Sequence, residues 1–131
     1  MTDQELVTLA FSMMERSYVP YSNFPVGAVL LCGDGTVFTG CTVENAAYGS
    51  TICAERTALL KAVSEGHRDD WQAMAIAGRG EDYCWPCGSC RQMLYEFAPN
   101  LKILVAREDG AFVETSLARL MPHGFGPKSL K

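Results

Sequence analysis

Two short segments of the chain carry side chains that can bind a metal ion and move protons. The first is Cys-Ala-Glu-Arg at 53–56, the second is Pro-Cys-Gly-Ser-Cys at 86–90, and 33 residues separate Cys53 from Cys87. Three thiolates brought together bind zinc at a Zn–S distance of about 2.3 Å. A neighbouring carboxylate, that of Glu55, can accept a proton from water and pass it on. These residue types predict a hydrolytic metal centre.

Both segments are predicted to lie at the start of a helix, because apolar residues recur at helical spacing after each of them. A helix start presents free N–H groups and the positive end of the dipole, which favour a thiolate over a thiol. Positions i and i+2 of a regular helix diverge, so Cys53 and Glu55 can share a site only beyond the N-terminal end of that helix. We therefore expect the metal to lie between two helix ends.

The pattern supplies three metal ligands and no obvious fourth. Catalytic zinc sites keep one tetrahedral position for water, whereas structural sites are closed by four protein ligands. Three thiolates on Zn²⁺ leave a net charge of about −1, which should make the metal a weaker acid than one held by three imidazoles. Arg56 follows Cys53 by three residues, on the same helix face, and can offset this charge. The pattern thus favours a catalytic centre.

Another interpretation of the cysteines stays open at this stage. Cys84 extends the second segment to C-x-x-C-x-x-C, which together with Cys53 could form a closed four-cysteine zinc site or hold an iron–sulfur cluster. A ferredoxin-type run would continue to a further cysteine and proline, whereas Arg91 here begins a helical stretch. A closed site would make the chain a non-catalytic binding module with a structural metal.

The remaining cysteines and both histidines are expected to lie outside this chemistry. Cys32, Cys41 and Cys84 are interpreted as ordinary small apolar residues. His67 lies in a polar turn and His123 in the last ten residues, and we expect both to be solvated. Neither histidine has ligand spacing with the cysteines.

The elements that position these residues follow from periodicity and turn signals. Thr2 to Glu5 fit a capping box that begins a helix reaching about Ser17. Further helices are predicted at 53–65, 87–97 and 116–121, and strands at 26–32, 37–40, 73–78, 101–106 and 111–115. Ser50 or Thr51 is expected to cap the second helix.

Helices that separate strands predict an α/β fold, here a three-layer α/β/α sandwich around a mixed five-stranded sheet. The turn Asp109-Gly110 is too short for a parallel crossover. The last strand should therefore run antiparallel to the fourth.

Composition limits the class of protein. With 131 residues, of which 48% are hydrophobic, the chain fits one domain spanning 1–131. Eleven Lys and Arg against fifteen Asp and Glu give a net charge of −4 without a basic run, so we expect no nucleic-acid partner. Residues 1–20 lack a basic start and an unbroken apolar core, so we expect no signal peptide and no membrane span. The six cysteines are expected to be reduced thiols of a cytoplasmic protein.

Taken together, five segments resemble the zinc-dependent cytidine deaminases, and in particular their small homotetrameric branch that acts on free nucleosides. The segments are PYSNFPVGAVL at 20–30, CTVENAAYG at 41–49, CAERTALLKAVSEG at 53–66, PCGSCRQ at 86–92 and LMPHGFGPKSL at 120–130. The most specific signal is Cys-Ala-Glu paired with Pro-Cys-x-x-Cys. It matches the general signature of zinc deaminases, in which the glutamate is not a metal ligand.

The resemblance implies a catalytic role for each matching residue. Cys53, Cys87 and Cys90 would ligate one Zn²⁺ per subunit. Glu55 would shuttle protons, and Arg56 would offset the thiolate charge. Zinc-bound hydroxide would attack C4 of cytidine, and of 2′-deoxycytidine, to release uridine or deoxyuridine and ammonia in pyrimidine salvage.

The resemblance also implies substrate contacts. The Ala54 backbone would bind the pyrimidine edge, Phe24 would pack on the base, and Glu44 would accept a hydrogen bond from a ribose hydroxyl. Tyr48 and Phe125 would reach into the site of a neighbouring subunit. The implied assembly is a homotetramer with shared active sites and a small-molecule nucleoside as substrate.

One position departs from the family's pattern. Family members usually carry asparagine two residues before the equivalent of Glu44, where this chain has Thr42. Threonine offers one hydroxyl in place of an amide, so the contact to the sugar differs here. A deaminase of another cytosine-containing small molecule, such as a modified nucleoside, stays open as an alternative.

Overall fold

Five strands form one mixed sheet in the computed structural model, which describes residues 1–130. The strands are β1 (Val26–Cys32), β2 (Val37–Cys41), β3 (Trp71–Gly78), β4 (Lys102–Ala106) and β5 (Phe112–Ser116). Their order in the sheet is β2-β1-β3-β4-β5, in which only β3 and β4 pair in parallel. The expected mixed sheet with an antiparallel last strand is confirmed.

Helices cover both faces of the sheet. They are α1 (Asp3–Met14), α2 (Ala54–Ser64), α3 (Gly88–Phe97) and α4 (Leu117–Leu120), with short 3₁₀ helices at Tyr48–Ser50 and Pro127–Leu130. On one face α1 buries Leu6 and Ala10 against Val29 of β1. On the other face α2 and α3 bury Leu59 and Leu94. The result is the three-layer α/β/α sandwich.

The strand directions bring the starts of α2 and α3 to the same edge of the sheet. β2 and β3 are both antiparallel to β1, so they run in the same direction and end at the same edge. The chain leaves β2 to enter α2 and leaves β3 to enter α3. The two segments singled out from the sequence therefore meet, although they lie far apart along the chain.

Two local expectations are wrong. Cys53 caps α2 in place of Ser50 or Thr51, because those residues close a 3₁₀ turn and the Thr51 N–H donates to the Tyr48 carbonyl. The first helix ends at Met14, after which the Ser17 N–H donates to the Met14 carbonyl in a tighter turn. The capping box at Thr2 and Glu5 is confirmed.

Among residues 1–130, every helix is too short or too polar to span a lipid bilayer.

Gly40 allows α2 to approach β2 closely. A Cβ at this position would lie 2.2 Å from the Ala54 carbonyl oxygen and 2.6 Å from the Ala58 nitrogen. Both obstacles are helix backbone, so the helix would have to move away from the sheet. Since Ala54 follows the metal-ligand candidate Cys53, Gly40 also determines where the first segment lies.

We expect Gly40→Ala to lower the free energy of unfolding by about 2 kcal/mol or more, the usual cost of overpacking against a rigid backbone. Urea denaturation followed by circular dichroism measures the change. Gly49→Ala is the matched control, because a Cβ there meets no atom within 4 Å. Equal stability of the two variants would show that this contact between helix and strand is not tight.

Candidate active site

Three cysteine sulfurs converge between the starts of α2 and α3. Cys53 and Cys87 are the N-caps of these helices, and Cys90 lies in the first turn of α3. The Sγ atoms of Cys53 and Cys87 are 4.0 Å apart, and those of Cys87 and Cys90 are 3.4 Å apart. All three sulfurs lie within 4.8 Å of one another. The structure thus places these residues together, as the sequence predicted.

The spacing of the sulfurs fits a zinc ion. Tetrahedral coordination at about 2.3 Å per Zn–S bond separates neighbouring sulfurs by roughly 3.8 Å, between the two close distances found here. Thiolate sulfur is a ligand type that selects zinc over harder ions such as magnesium or calcium. The residues present therefore suit the metal that the sequence predicted.

Hydrogen bonds and positive charge around Cys53 favour its thiolate. A hydrogen bond from Cys90 lowers the pKa of the Cys53 thiol to about 5, and Arg56 also lowers it. The Arg56 Nη2 group donates to Cys53 Sγ at 3.4 Å and to the Thr51 carbonyl at 3.2 Å. The buried Nε of Arg56 has no acceptor within residues 1–130. Arg56 is thus held in place with its charge directed at the sulfur cluster.

Glu55 lies in the first turn of α2 and is only 5% exposed. Burial, with a smaller contribution from the Cys53 thiolate, raises the pKa of the Glu55 carboxyl to about 7. A carboxyl group with this pKa exchanges protons readily near neutral pH. The arrangement places a proton carrier beside the cysteine cluster without making it a metal ligand.

The closed four-cysteine alternative is not supported by the structure. Within residues 1–130, the metal-binding group at this edge contains three cysteines and does not include Cys84 or Glu55. Cys84 packs instead on Gly78 at the end of β3, where its Sγ would lie 2.7 Å from an added Cβ. The candidate ligand group therefore consists of three cysteines, and three protein ligands are the number found in catalytic zinc sites.

Glu44 holds the segment that carries Phe24. One Glu44 carboxylate oxygen accepts from the backbone N–H groups of Tyr21 and Ser22, at 3.0 and 3.2 Å, and the other accepts from the Ser22 hydroxyl. The Ser22 hydroxyl also accepts from the Phe24 N–H at 3.1 Å. A carboxylate has about four acceptor positions, so one stays free for a ligand hydroxyl.

An open groove of about 320 Å³ runs along this carboxylate. It is lined by Tyr21, Ser22, Glu44, Asn45, Tyr48 and Thr51. Tyr48 is 73% exposed, and its ring lies against that of Tyr21 with centroids 5.5 Å apart. Thr51, which lines the groove, lies two residues before Cys53 in the chain.

Phe24, Thr42 and Ala54, which the sequence analysis singled out, lie in three different segments of the chain. Phe24 is 42% exposed, and its ring lies 3.5 Å from the position of a Cβ on Gly78. Thr42 is buried at the end of β2, where its N–H donates to the Val26 carbonyl and its carbonyl accepts from the Tyr18 N–H. Ala54 is fully buried at the N-terminus of α2.

Phe125 does not line the groove. It lies in the C-terminal segment, which is held on α3 because the Gln92 side chain donates to the Phe125 carbonyl at 2.8 Å. The Tyr95 ring fills the space that a Cβ on Gly124 or Gly126 would need. The Phe125 side chain is nevertheless 57% exposed. Its backbone is thus held on α3 while more than half of the residue stays exposed.

Sequence reasoning missed three supporting residues. Ser22 connects Glu44 to Phe24, Gln92 anchors the C-terminal segment, and the Thr51 carbonyl orients Arg56. Ser22 and Gln92 lie within two of the segments quoted above, which was the available signal. No local pattern predicts a carbonyl acceptor such as that of Thr51.

Known proteins with the same sequence pattern and fold are cytidine deaminases. The family described as the cytidine and deoxycytidylate deaminase zinc-binding region matches residues 1–106. The chain is 43% identical to the cytidine deaminase of Sporosarcina psychrophila, over 97% of this chain and 93% of that protein. It is 44% identical to the cytidine deaminase of Halalkalibacterium halodurans, over 95% of each.

Comparison of the fold with solved structures also identifies cytidine deaminases. The crystal structure of cytidine deaminase from Burkholderia pseudomallei superposes with a TM-score of 0.92 at 43% identity, covering 95% of this chain and all of that one. Sequence, fold and the three-cysteine cluster agree: the chain belongs to the zinc-binding cytidine and deoxycytidylate deaminase family.

Proposed function

We propose that this protein is a zinc-dependent hydrolase that converts cytidine to uridine and ammonia, and 2′-deoxycytidine to deoxyuridine and ammonia. The observation that carries the proposal is the cluster of three thiols at two helix starts, with buried Glu55 beside it. The relatives named above are cytidine deaminases over nearly the whole chain, which supports the same reaction here.

In this proposal Cys53, Cys87 and Cys90 hold the zinc ion. Zinc bound there supplies a Lewis acid that makes water a competent nucleophile at neutral pH. The protein's own contribution is to set the charge of the cluster. Arg56 and the two helix N-termini oppose the negative charge of the three thiolates.

Glu55 moves the protons of the reaction. The oxygen of water forms a bond to C4 of the pyrimidine, and the bond between C4 and the amino nitrogen breaks. Glu55 takes one proton from the attacking water and delivers it to N3. It then takes the second proton from the hydroxyl group formed on C4 and delivers it to the departing amino group, which leaves the C4 carbonyl of uridine. One water is consumed and one ammonia released, so Glu55 returns to its starting state. Its burial keeps bulk solvent from competing for these protons.

Three further residues bind the nucleoside. The Ala54 backbone at the helix start meets the polar edge of the base, and the exposed Phe24 ring packs on its face. The fourth acceptor position of Glu44 takes a ribose hydroxyl in the open groove. The groove suits a free nucleoside, and the net charge of −4 opposes a polynucleotide.

We also propose that the active sites are shared within a homotetramer that works in cytoplasmic pyrimidine salvage. The exposed rings of Tyr48 and Phe125 support sharing, because neither is covered by its own chain. The groove beside Glu44 is open along its length, so an aromatic side chain from a neighbour can complete it.

Replacing the proton carrier should abolish the reaction while leaving the fold intact. We expect Glu55→Gln to retain zinc and lose roughly 10³-fold or more in kcat, since one positioned acid–base group contributes up to about 10⁴-fold. The loss of absorbance as cytidine becomes uridine measures the rate. Glu65→Gln, at the exposed end of the same helix, should keep full activity.

The same assay tests the function itself. The parent enzyme could fail to deaminate cytidine but deaminate a modified cytosine nucleoside from a substrate panel. The proposed type of reaction would then be correct and the proposed substrate wrong. If Glu55→Gln is as active as the parent, the proposed proton carrier is wrong.

Removing one thiol should remove the metal. We expect Cys87→Ala to contain one equivalent of zinc less than the parent and to unfold at lower temperature, because metal binding contributes to folding. Elemental analysis and thermal unfolding measure the two effects. Cys84→Ala is the matched control, since Cys84 lies outside the three-cysteine group. Equal zinc loss in both variants would restore the closed four-cysteine interpretation.

Shared sites predict complementation between two defective chains. Phe125→Ala should bind cytidine weakly because it lacks the neighbour's ring, and Glu55→Gln should be inactive. In a co-assembled hybrid, a subunit with intact Glu55 receives Phe125 from its partner, so activity should exceed the sum of the separate variants. Activity equal to that sum would place Phe125 outside the neighbouring site.

A further inference from the structure

A second group of metal-ligating side chains lies at the opposite edge of the sheet from the three cysteines. Cys32 ends β1 and pairs with Trp71 at the beginning of β3, whereas the cysteine cluster lies beyond the other end of β3. The eight residues of β3 separate the two edges by roughly 23 Å. Cys32, His67 and Asp70 each offer a donor atom here, and these atoms lie within 4.8 Å of one another.

The expectation that His67 is solvated is wrong. The His67 side chain is 21% exposed, its ring packs edge-on against Phe38 at 5.2 Å, and its Nδ1 lies 3.0 Å from a carboxylate oxygen of Asp70. Asp34 faces the other ring nitrogen, with 3.8 Å between Nε2 and its carboxylate. The imidazole therefore lies between two carboxylates.

Backbone and side-chain hydrogen bonds fix the donors of this group. The Gly33 N–H donates to the Asp70 carbonyl at 2.6 Å, which joins the end of β1 to the segment before β3. The Trp71 indole N–H donates to the His67 carbonyl at 2.9 Å. The three donors thus lie on backbone that is already held in place, so binding a ligand requires little reorganisation.

The two carboxylates of this group have no lysine or arginine partner within residues 1–130. In the part of the chain that the structure describes, Asp34 and Asp70 form ion pairs only with His67. The Cys32 thiol is fully buried and makes no hydrogen bond to residues 1–130. Burial and the two carboxylates raise the pKa of Cys32 to about 11. A divalent ion would offset the negative charge of the carboxylates and ligate the thiolate, because a coordinating thiol is deprotonated by the metal.

We propose that Cys32, His67 and Asp70 form a second divalent-metal site, suited to zinc, that fastens the end of β1 to the segment between α2 and β3. One sulfur, one nitrogen and one oxygen donor are the ligand types that zinc accepts. The Asp34 carboxylate lies 3.8 Å from the other ring nitrogen and adds negative charge beside the group. The site lies far from the groove, so its role is to stabilise the fold.

Metal stoichiometry tests the proposal independently of deamination. Protein equilibrated with zinc and freed of unbound metal should contain two equivalents per chain, and Cys32→Ala and His67→Gln should each contain one fewer. Cys41→Ala and His123→Gln are matched controls that should keep the parent's content. Equal zinc content in the parent and in both cluster variants would overturn the proposal, whether or not the cysteine cluster near Glu55 binds zinc.

Cobalt provides a second measurement, in case Cys32→Ala does not fold. When Co²⁺ is added to parent protein that carries a single equivalent of zinc, bound at the cysteine cluster near Glu55, a thiolate-to-cobalt charge-transfer band should appear, because Cys32 becomes a ligand. Asp70→Asn should weaken Co²⁺ binding at least tenfold, whereas Asp69→Asn, one residue away and outside the group, should not. A band of equal strength in both aspartate variants, or no band in the parent, contradicts the site.

Discussion

The active site depends on two helices beginning side by side at one edge of the sheet. β2 and β3 run in the same direction because both are antiparallel to β1, so the segments that follow them must leave at the same edge. This topology places the Sγ atoms of the N-cap residues Cys53 and Cys87 4.0 Å apart. It also brings the positive ends of two helix dipoles to the cysteine cluster, where they favour thiolates. Strand direction thus determines both the position of the ligands and their charge.

The distance between the helices and the sheet is the second constraint. α1 and α2 each cross a strand at a glycine, Gly27 in β1 and Gly40 in β2, where a Cβ would lie within 2.2 Å of a helix carbonyl oxygen. The segment that carries Phe24 is held separately, because Glu44 and Ser22 accept hydrogen bonds from its backbone. The site is therefore fixed largely by backbone contacts, whereas Tyr48 and Phe125 are mostly exposed.

Much of this arrangement follows from local sequence, and the remainder does not. The strands, the antiparallel last pair and the two helix starts follow from periodicity and turn residues, because these depend on neighbours in the chain. The prediction that Ser50 or Thr51 caps α2 was wrong because the 3₁₀ turn before Cys53 uses both residues for its own hydrogen bonds. His67 was expected in solvent because its contact with Phe38 and its pairing with Asp34 join distant parts of the chain. Contacts of this kind have no local signature.

The cysteines show how surroundings give one residue type opposite chemistry. Cys53 lies at a helix start beside Arg56, and its pKa falls to about 5, so the thiolate exists before any metal binds. Cys32 lies buried beside two aspartates, and its pKa rises to about 11, so it stays a thiol until a cation offsets those charges. A metal that binds the second group must displace this proton, because a coordinating thiol is deprotonated. The proposed second site should therefore bind metal more weakly at low pH.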